Sequence, residues 1–550
     1  MGLDRVVGST VHHEIPEQGM EYTGGARLWP IGVTGRLDTG VFHRVRGPAF
    51  NYPVSFLASS TANLVRGLQH RVLSYKGGAV LQPAPGSWSR LTTRCLKGLM
   101  RHGLCPTTPM SIESWLSRYQ GRKLSIYQNA LRSLQSRPLG DRDFRVKAFV
   151  KKEKDKFSLL MDENPDPRII QPRDPRVTVT FGPYVAAVEG ILYKRFGLLW
   201  RSIAMSTPTP VCFKGLNYRA RGDYFAEKWR SFKDPVAVAI DASRFDLHVS
   251  GDALTFTDEL YMRCFRGDSQ RVLKYILERR HVTRGVASCK ESSWGYTKVG
   301  GRCSGDVDTS LGNVCIMLAV SVRVADMMRC HLELANDGDD QIFLVERRDL
   351  SRLQRVIEPI FEEYGLRVKV ESPVDVFERI DFCQTRPVLN SLGGYTMTRY
   401  PKLALTKDLA SFLPIQLETV RNNMLAAIGS CGLAAYGDMP ILGSFYSSCS
   451  TVKGNPAKHW AQTGIDLGFL FHVKGLEKPT LLSSAGINPA VRLSFWKAFG
   501  VLPDEQIILE KELARWRPES GPPEDVLRTT WRWYIGQDHT DTSSLVGNEP

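Results

Sequence analysis

Apolar positions in the middle of the chain fall into five stretches, whose spacing predicts strands, a hairpin and helices. Pro235-Val236-Ala237-Val238-Ala239-Ile240 is a short, nearly unbroken apolar run, the form of a buried strand, and it ends at Asp241. Two more apolar-leaning runs, Glu333–Ala335 and Ile342–Val345, flank Asn336-Asp337-Gly338-Asp339-Asp340-Gln341, a tight Asn/Asp/Gly turn that predicts a β-hairpin. After a glycine-bearing loop from Gly300, residues Leu311, Cys315, Leu318, Val322 and Ala325 recur at helical spacing. Thr309 and Asn313 therefore share a face of that helix. Leu353, Val356, Ile357, Ile360, Phe361 and Tyr364 give an amphipathic helix stopped by Gly365. Alternation at Leu366, Val368 and Val370 then predicts a strand, with Arg367 and Lys369 facing the other way.

Outside this region the pattern is weaker. Residues 1 to about 60 are rich in Gly, Pro, Thr and Arg without sustained periodicity, which predicts an irregular extension. Leu260 with Cys264, and Val272 with Ile276, hint at helices between 255 and 298. From about 400 onward a mainly helical region is expected, with Trp460, Trp496, Trp516, Trp531 and Trp533 as packing residues. The tail from 537 to 550 is polar, as disordered termini are.

The hairpin carries the chemistry. Asp339 and Asp340 are adjacent carboxylates at its tip, an arrangement that self-repulsion disfavours unless a divalent cation binds. Asp241 sits at the carboxyl end of its own strand, and Asp246 follows about one turn later on the same side. Each piece has an ordinary explanation when taken alone. An Asp-Asp pair is commonly a solvated turn, Asp241 and Asp246 suit helix caps, and Lys151 to Lys156 suits an exposed basic face. Order and co-occurrence favour the chemical reading.

In that order the segments resemble the viral RNA-dependent RNA polymerases, within them the tombusvirus-like group of carmoviruses, umbraviruses and relatives. Asp241 to Asp246 is similar to motif A; Ser304-Gly305, Thr309 and Asn313 to motif B; Gly338-Asp339-Asp340 to motif C. Phe149 to Lys154 and Asp166 to Arg173 resemble the basic motif F, Tyr364 to Glu371 motif D, and Ile380 to Gln384 motif E. Tyr119 to Leu134 also reads like the family's fingers, so the likeness covers roughly residues 60 to 400.

The resemblance implies an α+β right-hand polymerase: fingers, a palm with an antiparallel sheet and a mainly helical thumb, closed by fingertip contacts to the thumb. The expected division is 1–60 as an extension bridging fingers and thumb, 61–235 as fingers with motif F, 236–254 as palm motif A and 255–298 as a fingers insertion. Palm motifs B to E then occupy 299–399, the thumb 400–536 and a flexible tail 537–550. Two Mg²⁺ ions, with Mn²⁺ as a substitute, are expected on Asp241 and Asp339, with Asp340 as supporting ligand. Asp246, Ser304, Thr309 and Asn313 are expected to read the ribose. Lys151, Lys154, Arg168, Arg173 and Arg176 are candidates for the triphosphate, Arg168 the best placed, whereas Lys152 and Lys156 suit solvent. Lys369 matches the family lysine proposed to protonate leaving pyrophosphate; its plainer reading is an exposed strand lysine. Phe382, Cys383 and Gln384 match a primer grip, Cys383 itself packed rather than reactive. Two departures, Leu247 where relatives commonly carry Gln and Asp308 where they often carry Asn, are expected to border the ribose pocket.

Composition agrees with a polyanionic partner. The 550 residues carry a formal charge of +15, which suits RNA and nucleoside triphosphates. The 11 cysteines form no Cys-x-x-Cys pair, against a disulfide scaffold or a zinc ribbon. No stretch reads as the ~20 apolar residues of a membrane span, and no secretory signal, Walker A loop, dinucleotide fingerprint or metalloprotease helix is found. The resemblance therefore implies a viral or host membrane-associated replication factor as partner, in host cytoplasm, and primer-independent initiation. Two other readings stay open: a reverse transcriptase, which shares the palm, and a non-catalytic RNA-binding replication factor with a decayed palm. The Ser-Gly…Thr…Asn helix and the Gly before Asp339-Asp340 weigh against the first, and the intact carboxylates with the intact Ser-Gly…Thr…Asn helix weigh against the second.

Overall fold

The computed structural model describes residues 3–34, 40–47, 55–154, 165–463 and 486–518. At its centre lies a four-stranded antiparallel sheet in the order Leu332–Asp337, Asp340–Glu346, Pro235–Ala242, Val368–Val370. Alternate side chains of these strands enter two different cores. Val238, Ile240, Leu334, Phe343 and Val345 join the core built on helices Pro175–Ala204, Gly251–Arg263 and Thr309–Met328. Ala237, Ala335, Ile342 and Leu344 join the other, with Phe213, Phe225, Tyr436 and Trp516. Cover on both faces is why these strands read as nearly unbroken apolar runs rather than as alternation. Each large aliphatic side chain so buried contributes about 1.5–3 kcal/mol of transfer free energy.

The helix after the glycine loop is Thr309–Met328, a core helix. Its 20 residues are long and apolar enough to cross a membrane, yet 83% of its most apolar window is buried inside the protein. The apolar face wraps all round because neighbours cover every side; Ser321, inside it, donates its hydroxyl to the Met317 carbonyl at 2.8 Å. The amphipathic helix runs from Leu350 to Glu363 and ends as expected. The Gly365 amide donates to Glu362 at 2.9 Å and the Leu366 amide to Phe361 at 3.0 Å, the paired bonds of a Schellman cap. The strand that follows is shorter than the alternation suggested, covering Val368–Val370.

Among the described residues, the expected irregular extension carries four strands: Leu3–Val7, Met20–Tyr22, Ala26–Val33 and Val41–Val45. Ala26–Val33 pairs with Ser292–Val299 in a six-stranded sheet that continues through Val282–Ser288 and Val146–Val150 to Ile169–Ile170. Leu3–Val7 pairs with Val41–Val45, which pairs with Ala410–Ser411. Periodicity missed these strands because six of the eight residues in Ala26–Val33 are exposed; partners from distant sequence hold them there. Between 251 and 299 the helices hinted at are Gly251–Arg263 and Gly267–Glu278, followed by two strands that lacked a helical or amphipathic signal.

From Pro401 the described chain is mainly helical, in Pro401–Lys407, Glu418–Tyr436, Leu442–Ser450, Pro456–Thr463, Pro489–Phe499 and Pro503–Arg515. Trp516 is fully buried, whereas Trp496 is 39% exposed and lies on a surface groove instead of in the core. Trp531 and Trp533 lie outside the described residues, as do the Trp460 side chain, Lys156 and the tail.

Candidate active site

The central sheet brings the separated carboxylates to one end. Leu332–Asp337 and Asp340–Glu346 are joined by a two-residue turn, Gly338-Asp339, in which Gly338 has φ +89°. A positive φ at the first central position alone is the signature of a hairpin turn whose twist matches its strands. Asp340 stands directly opposite Asp241 in the neighbouring strand, and Lys369 stands opposite Asp241 on its other side. Directly opposed residues project to the same face, so Lys369, Asp241 and Asp340 form one row across three strands.

The turn is held from below. Asn336 exchanges hydrogen bonds with Gly338, its Nδ2 donating at 2.8 Å and its Oδ1 accepting at 3.1 Å. The same Nδ2 reaches Gln341 Oε1 at 3.1 Å, and Gln341 Nε2 donates to Ser321 of the central helix at 2.8 Å. Asp337 ion-pairs with Lys214 and Arg221. Burial opposes its ionisation, but the two cations win and keep the carboxyl below the usual range. Lys214 and Arg221 escaped the sequence reading, since no local spacing marks them.

Asp340 behaves differently. Partial dehydration and the charges of Asp339, Asp337 and Asp241 push it up to about 6, against a smaller opposing hydrogen bond from Cys383. Carboxylates that repel each other this way are what a divalent cation relieves. Among the described residues no three His, Cys, Asp or Glu side chains converge closely enough to hold an ion by themselves. Magnesium keeps several waters and takes only one or two carboxylates, so the Asp241, Asp339 and Asp340 donors fit it.

Beside this row, Asn313 Nδ2 donates to Asp246 Oδ1 at 2.9 Å, joining two of the four residues expected at the ribose. Burial raises the Asp246 pKa, outweighing Asn313 and the nearby Arg302. Asn313 Oδ1 is buried without a hydrogen-bond partner, an acceptor that a bound hydroxyl would satisfy. Thr309 is used otherwise: its hydroxyl donates to the carbonyls of Cys303 and Asp306, at 3.0 and 2.9 Å, and closes the loop before the helix. Ser304 lies on that loop, its carbonyl accepting from Gln171 at 2.6 Å. Leu247 and Asp308, the two departures, are both buried. Leu247 is 4% exposed, and Asp308 is fully buried between Arg280 and Arg302, at 2.6 and 2.8 Å. Burial opposes its charge, yet the two guanidinium groups hold it down to about 2.

The expected triphosphate cations divide into two sets. Lys151, Lys154 and Arg168 lie along one edge: Lys151 pairs with Glu153 at 2.8 Å, Arg168 with the same carboxylate at 3.5 Å, and Lys154 reaches the Lys407 carbonyl at 3.0 Å. Arg168 is more than half exposed, and its charge is felt at Asp246. Arg173 and Arg176 belong elsewhere. Arg173 is buried against Asp306 at 2.9 Å and donates to the Phe144 carbonyl at 2.6 Å. Arg176 pairs with Asp143 at 3.3 Å and donates to Ser133 and the Pro138 carbonyl. Desolvating an arginine demands such partners, and both are framework residues here. Arg244 also went unnoticed; it bonds Asp166 and the His70 carbonyl, tying the Asp241–Asp246 turn to the Asp166–Arg173 segment.

The remaining candidates separate as well. Lys369 is exposed and pairs with Glu371 at 3.0 Å. Phe382 is 2% exposed and packs against Phe213 and Phe225 at 5.8 and 5.3 Å, so its ring cannot touch a nucleic acid strand. Cys383 and Gln384, both at positive φ, form the tight turn between the Phe382 and Thr385 backbone bonds, with Cys383 next to Asp340.

Comparison with known proteins decides the family. A model described as viral RNA dependent RNA polymerase matches residues 37–521. The chain belongs to the viral RNA-dependent RNA polymerases. It is 37% identical to the RNA-directed RNA polymerase of Tobacco necrosis virus (strain A) over 82% of its length, 33% to that of Carnation mottle virus over 88%, and 32% to that of Turnip crinkle virus over 87%. It spans 60% of the length of each of these three relatives. A right-hand polymerase fold follows from the family, and the mixture of helices and sheets agrees with it.

Proposed function

We propose that this chain is the polymerising part of a viral replicase, an RNA-directed RNA polymerase that copies a positive-strand genome by two-metal nucleotidyl transfer. The observation carrying the proposal is the register that sets Asp241 opposite Asp340, with Asp339 at the adjoining turn. Asp241 and Asp339 would hold both Mg²⁺ ions and Asp340 would support them. When bound, the ions supply charge for the attacking 3′-hydroxyl and the departing pyrophosphate. Asn313 and Asp246 orient the ribose, with the unpartnered Asn313 Oδ1 accepting from the 2′-hydroxyl. Lys151, Lys154 and Arg168 neutralise the triphosphate, and Lys369 delivers a proton to pyrophosphate.

On this reading the four-stranded sheet is the palm, the six-stranded sheet belongs to the fingers, and the helices from Pro401 onward form the thumb. Closure of fingers onto thumb is supported by the Lys154–Lys407 hydrogen bond and by the strand pairing of Val41–Val45 with Ala410–Ser411. Primer-independent initiation, and a membrane-associated replication factor as partner in host cytoplasm, rest on the family resemblance. Incorporation of ribo- and deoxyribonucleotides on one RNA template with Mg²⁺ tests the proposal. Preference for deoxyribonucleotides would indicate a reverse transcriptase, and no incorporation would leave an RNA-binding factor.

A further inference from the structure

The six-stranded sheet buries one face and exposes the other. Ala26, Leu28, Val146, Ala148, Ala287, Trp294 and Tyr296 pack inward with the helix at Thr61–Leu68. On the outer face, one row runs through Trp29, Gly295, Val286 and Lys147, and the next through Arg27, Thr297 and Arg284. Phe149 stands two residues beyond Lys147 on the same side and is 43% exposed. The Trp29 indole covers Gly295, where a Cβ would meet the ring at 2.2 Å.

We propose that this outer face is a binding platform for single-stranded RNA, with Trp29 and Phe149 as stacking surfaces and Arg27, Lys147 and Arg284 as backbone contacts. Charge and ring chemistry select the occupant. Lys147 and Arg284 have no ion pair among the described residues, and Arg27 carries only the exposed pair with Glu21. Unstacked bases offer flat π-faces to aromatic rings whatever their sequence, and the phosphate backbone rewards the cations. Location agrees: strand Val146–Val150 runs straight into Lys151 at the proposed nucleotide edge. The platform would guide incoming template, so the inference rests on the polymerase reading for its purpose but not for its chemistry.

Fluorescence anisotropy with an unstructured 12-nucleotide RNA tests it. Lys147→Glu with Arg284→Glu alters two exposed side chains and should weaken binding at least tenfold and flatten its salt dependence by about 1.4 units of log-log slope. Trp29→Ala should weaken binding about fivefold or more, and Lys274→Glu, on the exposed helix Gly267–Glu278 away from this face, should bind like the parent. Equal RNA binding by the parent and the face variants overturns the inference while leaving the polymerase reading intact. Loss of anionic-vesicle binding or of self-association in those variants, with RNA binding unchanged, also overturns it in favour of another occupant. A parent that binds RNA through this face but incorporates no nucleotide defeats the polymerase reading alone.

Discussion

Asn313 donates a 2.9 Å hydrogen bond to Asp246, joining the helix after the glycine loop to the turn after the first acidic strand. The contact fixes one end of the Asn313 amide and leaves its oxygen buried and unanswered. A site of this kind rejects a substrate lacking the matching hydroxyl, because its own polar atom then stays unpaired. Asn313→Ala is expected to lower ribonucleotide use by about a hundredfold while lowering deoxyribonucleotide use far less. The check is kcat/KM for UTP against dUTP, and an unchanged ratio would contradict the assignment.

The arginines of the basic segment should separate in the same assay. Arg168→Ala leaves a surface position and should raise KM for nucleotide with an unchanged unfolding midpoint. Arg173→Ala strands the buried Asp306 carboxylate, so it should cost about 3–5 kcal/mol of stability in urea unfolding. Equal stability of the two variants would return Arg173 to the nucleotide.

His248 should make folding sensitive to mild acid. Burial beside Tyr75 pushes it down to about 4, and its Nε2 is buried without a partner. The folded form therefore resists protonation more than the unfolded chain, whose histidines titrate near pH 6.5. Its stabilising effect is complete above that pH, declines as pH falls towards 4, and amounts to about 3 kcal/mol in all. Urea midpoints at pH 7 and pH 4.5 should differ less for His248→Asn than for the parent. Parallel changes would show that His248 is protonated without cost.

Much of this site was legible because short-range chemistry fixed it. The apolar runs ending at Asp241 and bracketing Gly338 needed only a strand period and a turn residue. The Gly365 stop was marked by its own cap. Neither the extension strands nor the fate of Arg173 and Arg176 could be read the same way. Ala26–Val33 becomes a strand through Ser292–Val299, more than 250 residues away, and a guanidinium looks identical in sequence whether Asp306 or solvent receives it. Phe382 misled for a related reason: its motif is carried by the backbone turn, while its ring fills the core.

Lys369 lies opposite Asp241 with its ammonium paired to Glu371. As the proton donor to pyrophosphate, Lys369→Leu should cut single-turnover incorporation by about a hundredfold and abolish the basic limb of its pH profile. Unchanged rate and profile would make it an exposed strand lysine.

The opposed strand ends remain the decisive point. Template-dependent incorporation of labelled UTP with Mg²⁺, measured for the parent, Asp241→Ala and Asp339→Ala, tests them most directly. The account predicts loss of incorporation in both variants, with unfolding midpoints and RNA binding retained. Near-parent synthesis by either folded variant would contradict it.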